Sequence, residues 1–382
     1  MKFENVLTDY YINPKYLSLY RLLYCFIVLF LIGLPSYTWI ANSLNYLYDP
    51  PFLSFASLFD EFPGSWFFIT LSILNISFFM LMFLGVASRW TSTLFSITCI
   101  IGHNFWYSFG KIDHLLLWYL APAFLGFAGW GQYFSLNIFK KNHHYKDIET
   151  NTNSMLILIF ALSIGFTMFT SAAEKISGGW LYWNGEAVRF HFLRNYLSLH
   201  RTHLLTYPLI SYDNHVFWKF MDYSGIILEL GFIFSVVRIN FFRVFIAAGV
   251  IFHVLVLLMF NIPFYSNLIV YLIFIDWKML YEKWHLQSVF DYPQMQKGLV
   301  KVMAIISICF MVGWLTQLYH TTYFFTFPGL LQFVLSNLPI SNSFEASLSI
   351  FFLLVLLFTL YVLYCQFESY IKAKNKKFQE IE

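Results

Sequence analysis

The chain is dominated by apolar runs long enough to cross a bilayer. The first, YLSLYRLLYCFIVLFLIGLPSYTWI over residues 16–40, holds a single charge, Arg21. A membrane span needs about 20 mostly apolar residues, and in hydrocarbon only helices or closed barrels satisfy their own backbone. Runs of that kind fall at 17–40, 66–86, 91–109, 112–132, 154–175, 215–237, 240–260, 262–280, 298–318 and 346–368. The expected fold class is therefore all-α, a polytopic integral membrane bundle of about ten transmembrane helices. Composition agrees. Hydrophobic residues make up 59% and charged residues 11%, against about 25% charged in a soluble domain. Such a chain cannot cover a globular surface with polar groups, so lipid is its main solvent. The first run is too long for a signal-peptide core and lacks a small-residue cleavage site, so it reads as a retained span.

Very short links, SRW at 88–90 and NIP at 261–263, predict tight helical hairpins in one compact bundle. Residues 1–290 hold eight of the expected spans, and 291–382 hold two more, an aromatic loop and the basic tail KAKNKK. With an even number of spans both termini lie on one side. If that side is cytoplasmic, only six of the 23 Lys and Arg fall outside: Lys111, Lys175, Arg189, Arg194, Arg201 and Lys219. The positive-inside bias thus predicts an N-in, C-in multi-pass protein, with a bacterial inner membrane as the expected location. A net charge of +3 is too small to point to nucleic acid. The expected partners are membrane lipids and a lipophilic small molecule; no protein partner is indicated. Cys25, Cys99, Cys309 and Cys365 are scattered in apolar runs without metal or CxxC spacing, and no disulfide is expected.

Two segments between spans stand out. In 176–214, the stretch GEAVRFHFLRNYLSLH reads as an amphipathic helix lying on the membrane or capping the bundle. Its basic residues suit lipid phosphate, with an anionic substrate as the alternative. The second, 319–345, is aromatic and broken by Pro, and reads as a re-entrant or interfacial lid.

Ionisable groups inside spans are costly and mark candidate function. His103 lies about two turns from the outer end of its span. Asp113 and His114 open the next span, Lys175 closes another, and Asp222 and Glu229 share one face at i and i+7. His253 sits at similar depth in VIFHVLVLL. All but Glu229 fall in the outer half of the bilayer, which argues for one outward-facing site. Each group also has a structural reading: Lys175 as a snorkelling anchor, Glu229 and His253 as interhelical hydrogen-bonding groups. No metal is expected, because these His lack close ligand spacing. A lysine taken out of water loses basicity, and its free amine can accept a proton or attack a carbonyl. Glu174 is adjacent, but neighbouring helix positions point about 100° apart, so the two side chains need not meet.

Several stretches, taken in order, resemble the horizontally transferred transmembrane (HTTM) family, which includes the membrane part of vitamin K-dependent γ-carboxylase. They are KIDHLLLWYL followed by GQYFSLN, then EKISGGW with Lys175 and Trp180, DYSGIILELGF, and IFHVLVLLMFNIPF. The resemblance covers roughly residues 10–290. It implies that Lys175 is the base that deprotonates a reduced quinol, that His114 assists, and that the site opens to the luminal or outer side. It implies reduced vitamin K or menaquinol as the lipophilic substrate, with Glu229, His253, Asp222, His103 and Trp180 lining or supporting the pocket. Two departures separate the chain from the carboxylase: residues 291–382 hold no comparable protein-substrate domain, and Glu174 stands where the carboxylase has a second Lys. Protein carboxylation is therefore not expected. The alternative is a carrier or binding protein using the same polar groups without catalysis; a third reading is a purely structural membrane partner.

Overall fold

A computed structural model describes residues 3–110, 115–139, 150–318, 326–327, 331, 335 and 343–379. The architecture is all-α. The main helices are α1 (Pro14–Ile27), α2 (Ser65–Phe83), α3 (Ser88–Trp106), α4 (Leu116–Ala128), α5 (Thr150–Ser177), α6 (Ala187–Leu199), α7 (His215–Ser235), α8 (Ile239–Phe260), α9 (Tyr265–Tyr271), α10 (Pro293–Leu318) and α11 (Ser343–Gln379). The extended pairing among the described residues is a two-residue antiparallel ladder, β1 (Leu34–Pro35) with β2 (Thr326–Phe327). β2 belongs to the expected lid, most of which lies outside the described residues.

Among the described residues, six helical stretches are long and apolar enough to cross a membrane: Pro14–Ile32, Ser65–Phe83, Thr152–Ser177, Ile239–Phe260, Pro293–Trp314 and Glu345–Glu368. The remaining four expected spans fall short of that criterion for identifiable reasons. The α3 helix carries a polar stripe of Ser, Thr, His103 and Asn104. The α4 helix has 13 residues and contains Pro122. The α7 helix is long enough but holds Lys219, Asp222 and Glu229. The α9 helix gives way to a 3₁₀ turn at Leu272–Phe274. What is plain is a multi-pass membrane protein built on six apolar helices.

The chain divides into two compact units. The first comprises Phe3–Phe160 and Trp277–Leu348, and the second comprises Ala161–Asp276 and Ser349–Glu382 together with Met1–Lys2. The boundary expected near residue 290 falls inside the first unit.

In the first unit α1 begins at Asn13, whose side-chain oxygen accepts the Lys15 N–H at 2.9 Å, with Pro14 in the first turn where its missing N–H costs nothing. The helix runs into a π turn that Gly33 ends at φ 91°. Helices α2 and α3 form the expected hairpin, joined through Thr98 Oγ1 donating to Asn75 Oδ1 at 3.2 Å. His103 is buried here and held at both ring nitrogens. Nδ1 lies 2.9 Å from Tyr37 Oη and 3.0 Å from the Cys99 carbonyl, and Nε2 lies 2.7 Å from Tyr119 Oη. Trp106 stacks on the ring at 5.3 Å.

One turn-face glycine makes that arrangement possible. A Cβ on Gly102 would fall inside the Tyr37 ring. Gly102→Ala is therefore expected to destabilise by about 1–3 kcal/mol through overpacking. Thermal unfolding in detergent checks this, and a midpoint equal to wild type contradicts it.

The second unit packs α5 antiparallel to α7. Gly165 faces Ile233, where an added Cβ would come within 3.0 Å of the Ile233 Cα. On α7 the buried stripe is Trp218, Lys219, Asp222, Gly225, Ile226, Glu229 and Phe232, at helical spacing. The opposite face exposes Phe220, Ile227 and Phe234, each about two-thirds accessible. Charge inside and apolar rings outside reverse the pattern of a soluble helix and fit one bathed in lipid.

Candidate functional site

The antiparallel α5–α7 pair brings together two charges that are 54 positions apart in sequence. Lys175 Nζ forms an ion pair with Glu229 Oε1. Ser171, one turn before Lys175, bridges them: Lys175 Nζ donates to Ser171 Oγ at 3.1 Å, and Ser171 Oγ donates to Glu229 Oε1 at 3.3 Å. Glu229 is 4% exposed and Lys175 21%, so the carboxylate is inside and the ammonium at the edge. The second carboxylate oxygen, Glu229 Oε2, is buried with no hydrogen-bond partner. A carboxylate with one oxygen satisfied and one bare is an acceptor waiting for a donor.

The wall above Lys175 comes from the segment that follows α5. Gly179, at φ 83°, turns the chain, and Trp180 N–H donates back to the Lys175 carbonyl at 3.1 Å. The Trp180 ring lies 5.4 Å from Lys175 Nζ, within cation–π range. His191 of α6 stands 5.5 Å from Trp180. Burial lowers the His191 pKa, and the nearby positive charges of Arg194 and Lys175 lower it further. The ring is neutral at pH 7 and offers both a donor and an acceptor.

Asp222 does different work. Its carboxylate is fully buried and accepts the α6 amides of Ala187 at 3.2 Å and Val188 at 2.8 Å. Lys219, 1% exposed, donates to Asp222 Oδ2 at 2.8 Å and to the carbonyls of Trp180 at 2.8 Å and Tyr182 at 2.9 Å. One buried ion pair thus holds both the turn that carries Trp180 and the helix that carries His191. Asp222 positions the site's wall rather than lining its floor.

His253 lies on the neighbouring α8, with Nε2 3.2 Å from Tyr271 Oη and 3.4 Å from Asn267 Nδ2. Tyr271 Oη reaches Met168 Sδ at 3.9 Å, one turn before Ser171 on α5. Tyr271 also lines a small crevice, open to the surroundings, with Ile246, Ala247, Val250, Thr359 and Val362. Its walls are almost entirely apolar.

Of the site residues expected from sequence, Lys175, Glu229, Trp180, Asp222 and His253 all fall in the second unit. His103 falls in the first, in its aromatic cage, and His114 lies outside the described residues. Sequence reasoning did not single out Ser171, His191 or Lys219 for the site. The i−4 spacing of Ser171 from Lys175, and the i+3 spacing of Lys219 and Asp222, were signals for two of them; nothing marked His191. Among the described residues no three His, Cys, Asp or Glu side chains group as metal ligands. Cys25, Cys99 and Cys365 are buried, and Cys309 is exposed.

At the entrance to α6 a more exposed network ties the start of that helix to the start of α7. Arg189 Nη1 pairs with Glu186 Oε2 at 2.8 Å and Asp213 Oδ1 at 2.7 Å, while His215 Nδ1 lies 2.8 Å from Glu186 Oε1. The Arg189 hydrogen bond holds the Glu186 carboxyl below its ordinary pKa, with His215 adding to the effect. A depressed carboxyl stabilises above its unfolded pKa, and that contribution is lost as pH falls through the folded value. Amide protection at the start of α6, corrected for the intrinsic exchange rate, is expected to fall as pH drops below the ordinary carboxylate range. Protection that stays constant through that window contradicts the latch.

Compared with protein-family models, curated proteins and solved structures, the chain matches none.

Proposed function

We propose that the chain is a ten-span, N-in and C-in membrane protein of the HTTM type that binds and deprotonates a lipophilic quinol, reduced vitamin K or menaquinol, at a site open to the outside of a bacterial inner membrane. The observation that carries this reading is the bare Glu229 Oε2 beside the Lys175 ammonium. A quinol hydroxyl supplies the donor that this oxygen lacks. The phenolic proton passes to the Lys175–Glu229 pair, and the ammonium stabilises the phenolate left behind. Trp180 gives a flat apolar face for the ring, and neutral His191 gives a further hydrogen-bonding group. His114 retains the assisting role that the resemblance gives it.

One observation favours a second reading. Lys175 is already engaged by both Glu229 and Ser171, an arrangement that suits holding a ligand. A carrier or binding protein for a small lipophilic or anionic ligand would use the pair in that way, without turnover.

The test is oxygen-dependent epoxide formation from reduced naphthoquinone by purified protein across pH, for wild type and Lys175→Ala. Turnover in wild type that Lys175→Ala abolishes is the expected result. Binding without turnover gives the carrier; neither binding nor turnover at any pH overturns the quinol reading.

A further inference from the structure

The first unit contains a second concentration of unsatisfied polar groups, and all of them are donors. Arg21, in the second turn of α1, is fully buried. Its Nη2 donates to the carbonyls of Tyr133 at 3.2 Å and Phe134 at 2.6 Å. Its Nε and Nη1 have no partner, and among the described residues no carboxylate pairs with it. Ser135, 1% exposed, also has a hydroxyl without a partner. The two side chains meet at Gly85, where an added Cβ would lie 2.5 Å from both Arg21 Nη1 and Ser135 Cβ.

A third feature converges on the same place. The 19-residue helix α3 starts at Ala87 and Ser88 with no side chain capping its N-terminus. The free amides and positive dipole end of such a terminus favour anions. Gly131 packs against the Ser88 side chain, and its missing Cβ would lie 3.4 Å from Arg21 Nη1. Gly131 thus lies between the guanidinium and Ser88 at the uncapped start of α3. A buried cation without a counter-ion is strongly unfavourable, and a helix N-terminus adds to the positive potential instead of relieving it.

We propose that this is an oxyanion subsite, formed by Arg21, Ser135 and the α3 N-terminus, that takes a phosphate group. Arg89 and Trp90, both exposed at the same helix start, are the residue types that flank a phosphate at a bilayer interface. The phosphate belongs either to a lipid headgroup or to a free anion in the adjoining aqueous phase.

The experiment separates these sources. Thermal unfolding is followed in uncharged detergent while inorganic phosphate replaces chloride at constant ionic strength. In parallel, nanodiscs of phosphatidylglycerol are compared with nanodiscs of phosphatidylcholine. Wild type is expected to gain about 2–4 °C or more as the subsite fills. A gain with inorganic phosphate identifies a free anion, and a gain confined to phosphatidylglycerol identifies a headgroup. Ser135→Ala is expected to need several-fold more ligand, and Arg21→Gln to lose the response. A flat wild-type midpoint in both arms overturns the proposal, as does an Arg21→Gln response parallel to wild type. Should Arg21→Gln fail to fold, a Ser135→Ala titration identical to wild type overturns it as well.

Discussion

Asp222→Ala is expected to destabilise the protein by about 3–5 kcal/mol, the cost of leaving one member of a buried ion pair uncompensated. Lys219 would lose its carboxylate while remaining 1% exposed. The amides of Ala187 and Val188 would lose their acceptor at the start of α6, which adds about 1 kcal/mol of the kind seen for a lost helix cap. The damage is also local. With the pair broken, Lys219 no longer anchors the Trp180 and Tyr182 carbonyls as part of one rigid unit, so the wall over Lys175 loosens. Asp222→Asn keeps the shape and an acceptor oxygen, and is expected to lose less stability than Asp222→Ala. Thermal and denaturant unfolding in detergent measure both. A loss below about 1 kcal/mol for Asp222→Ala would mean that the pair acts as an ordinary exposed salt bridge.

The second large effect separates stability from function. Lys175→Met removes the partner of a carboxylate that is 4% exposed, and is expected to cost about 3 kcal/mol. That is the lower end of the range for buried pairs, since water already reaches the lysine. Adding Glu229→Leu removes the stranded carboxylate. The double variant is expected to return to within about 1 kcal/mol of wild type, because buried ion pairs are often replaced by apolar groups at little cost. The proposed quinol binding is expected not to return with it. A double variant that regains both stability and binding would show that the pair is scaffolding only. One that stays as unstable as Lys175→Met would mean that Ser171 and its surroundings, rather than the pair, set the stability.

The helical, membrane-embedded character was legible because run length and the absence of charge act over whole segments. The number of spans was less so. A window that scores polarity treats every polar residue as if it met lipid, yet Asn75, Thr98 and His103 find partners inside the bundle, and the charges of α7 face inward. The charged residues of α7 were correctly conspicuous, since a buried charge is rare enough to need a reason. Their roles were not legible. Asp222 and Glu229 share a face seven residues apart, but one holds a loop and a helix while the other meets Lys175. The sequence offered Glu174 as the nearest carboxylate to Lys175. The actual partner is Glu229, because helix register across an antiparallel pair is set by packing, here the close approach of Gly165 to Ile233. Depth along the membrane normal suggested that His103 and His253 belong to one site. In the structure His103 is caged by Tyr37, Tyr119 and Trp106 in the first unit, and His253 meets Tyr271 and Asn267 in the second.

In the proposed function the Lys175–Glu229 pair is held incomplete for a hydroxyl-bearing ligand. The most direct test of this is equilibrium binding of a reduced naphthoquinone at neutral pH to wild type, Glu229→Gln and Glu229→Leu in the same detergent. The account predicts binding by wild type, weakening of about tenfold or more in Glu229→Gln, equivalent to about 1.4 kcal/mol, and none in Glu229→Leu. Equal affinity in all three proteins, or no affinity in a folded wild type, would contradict it.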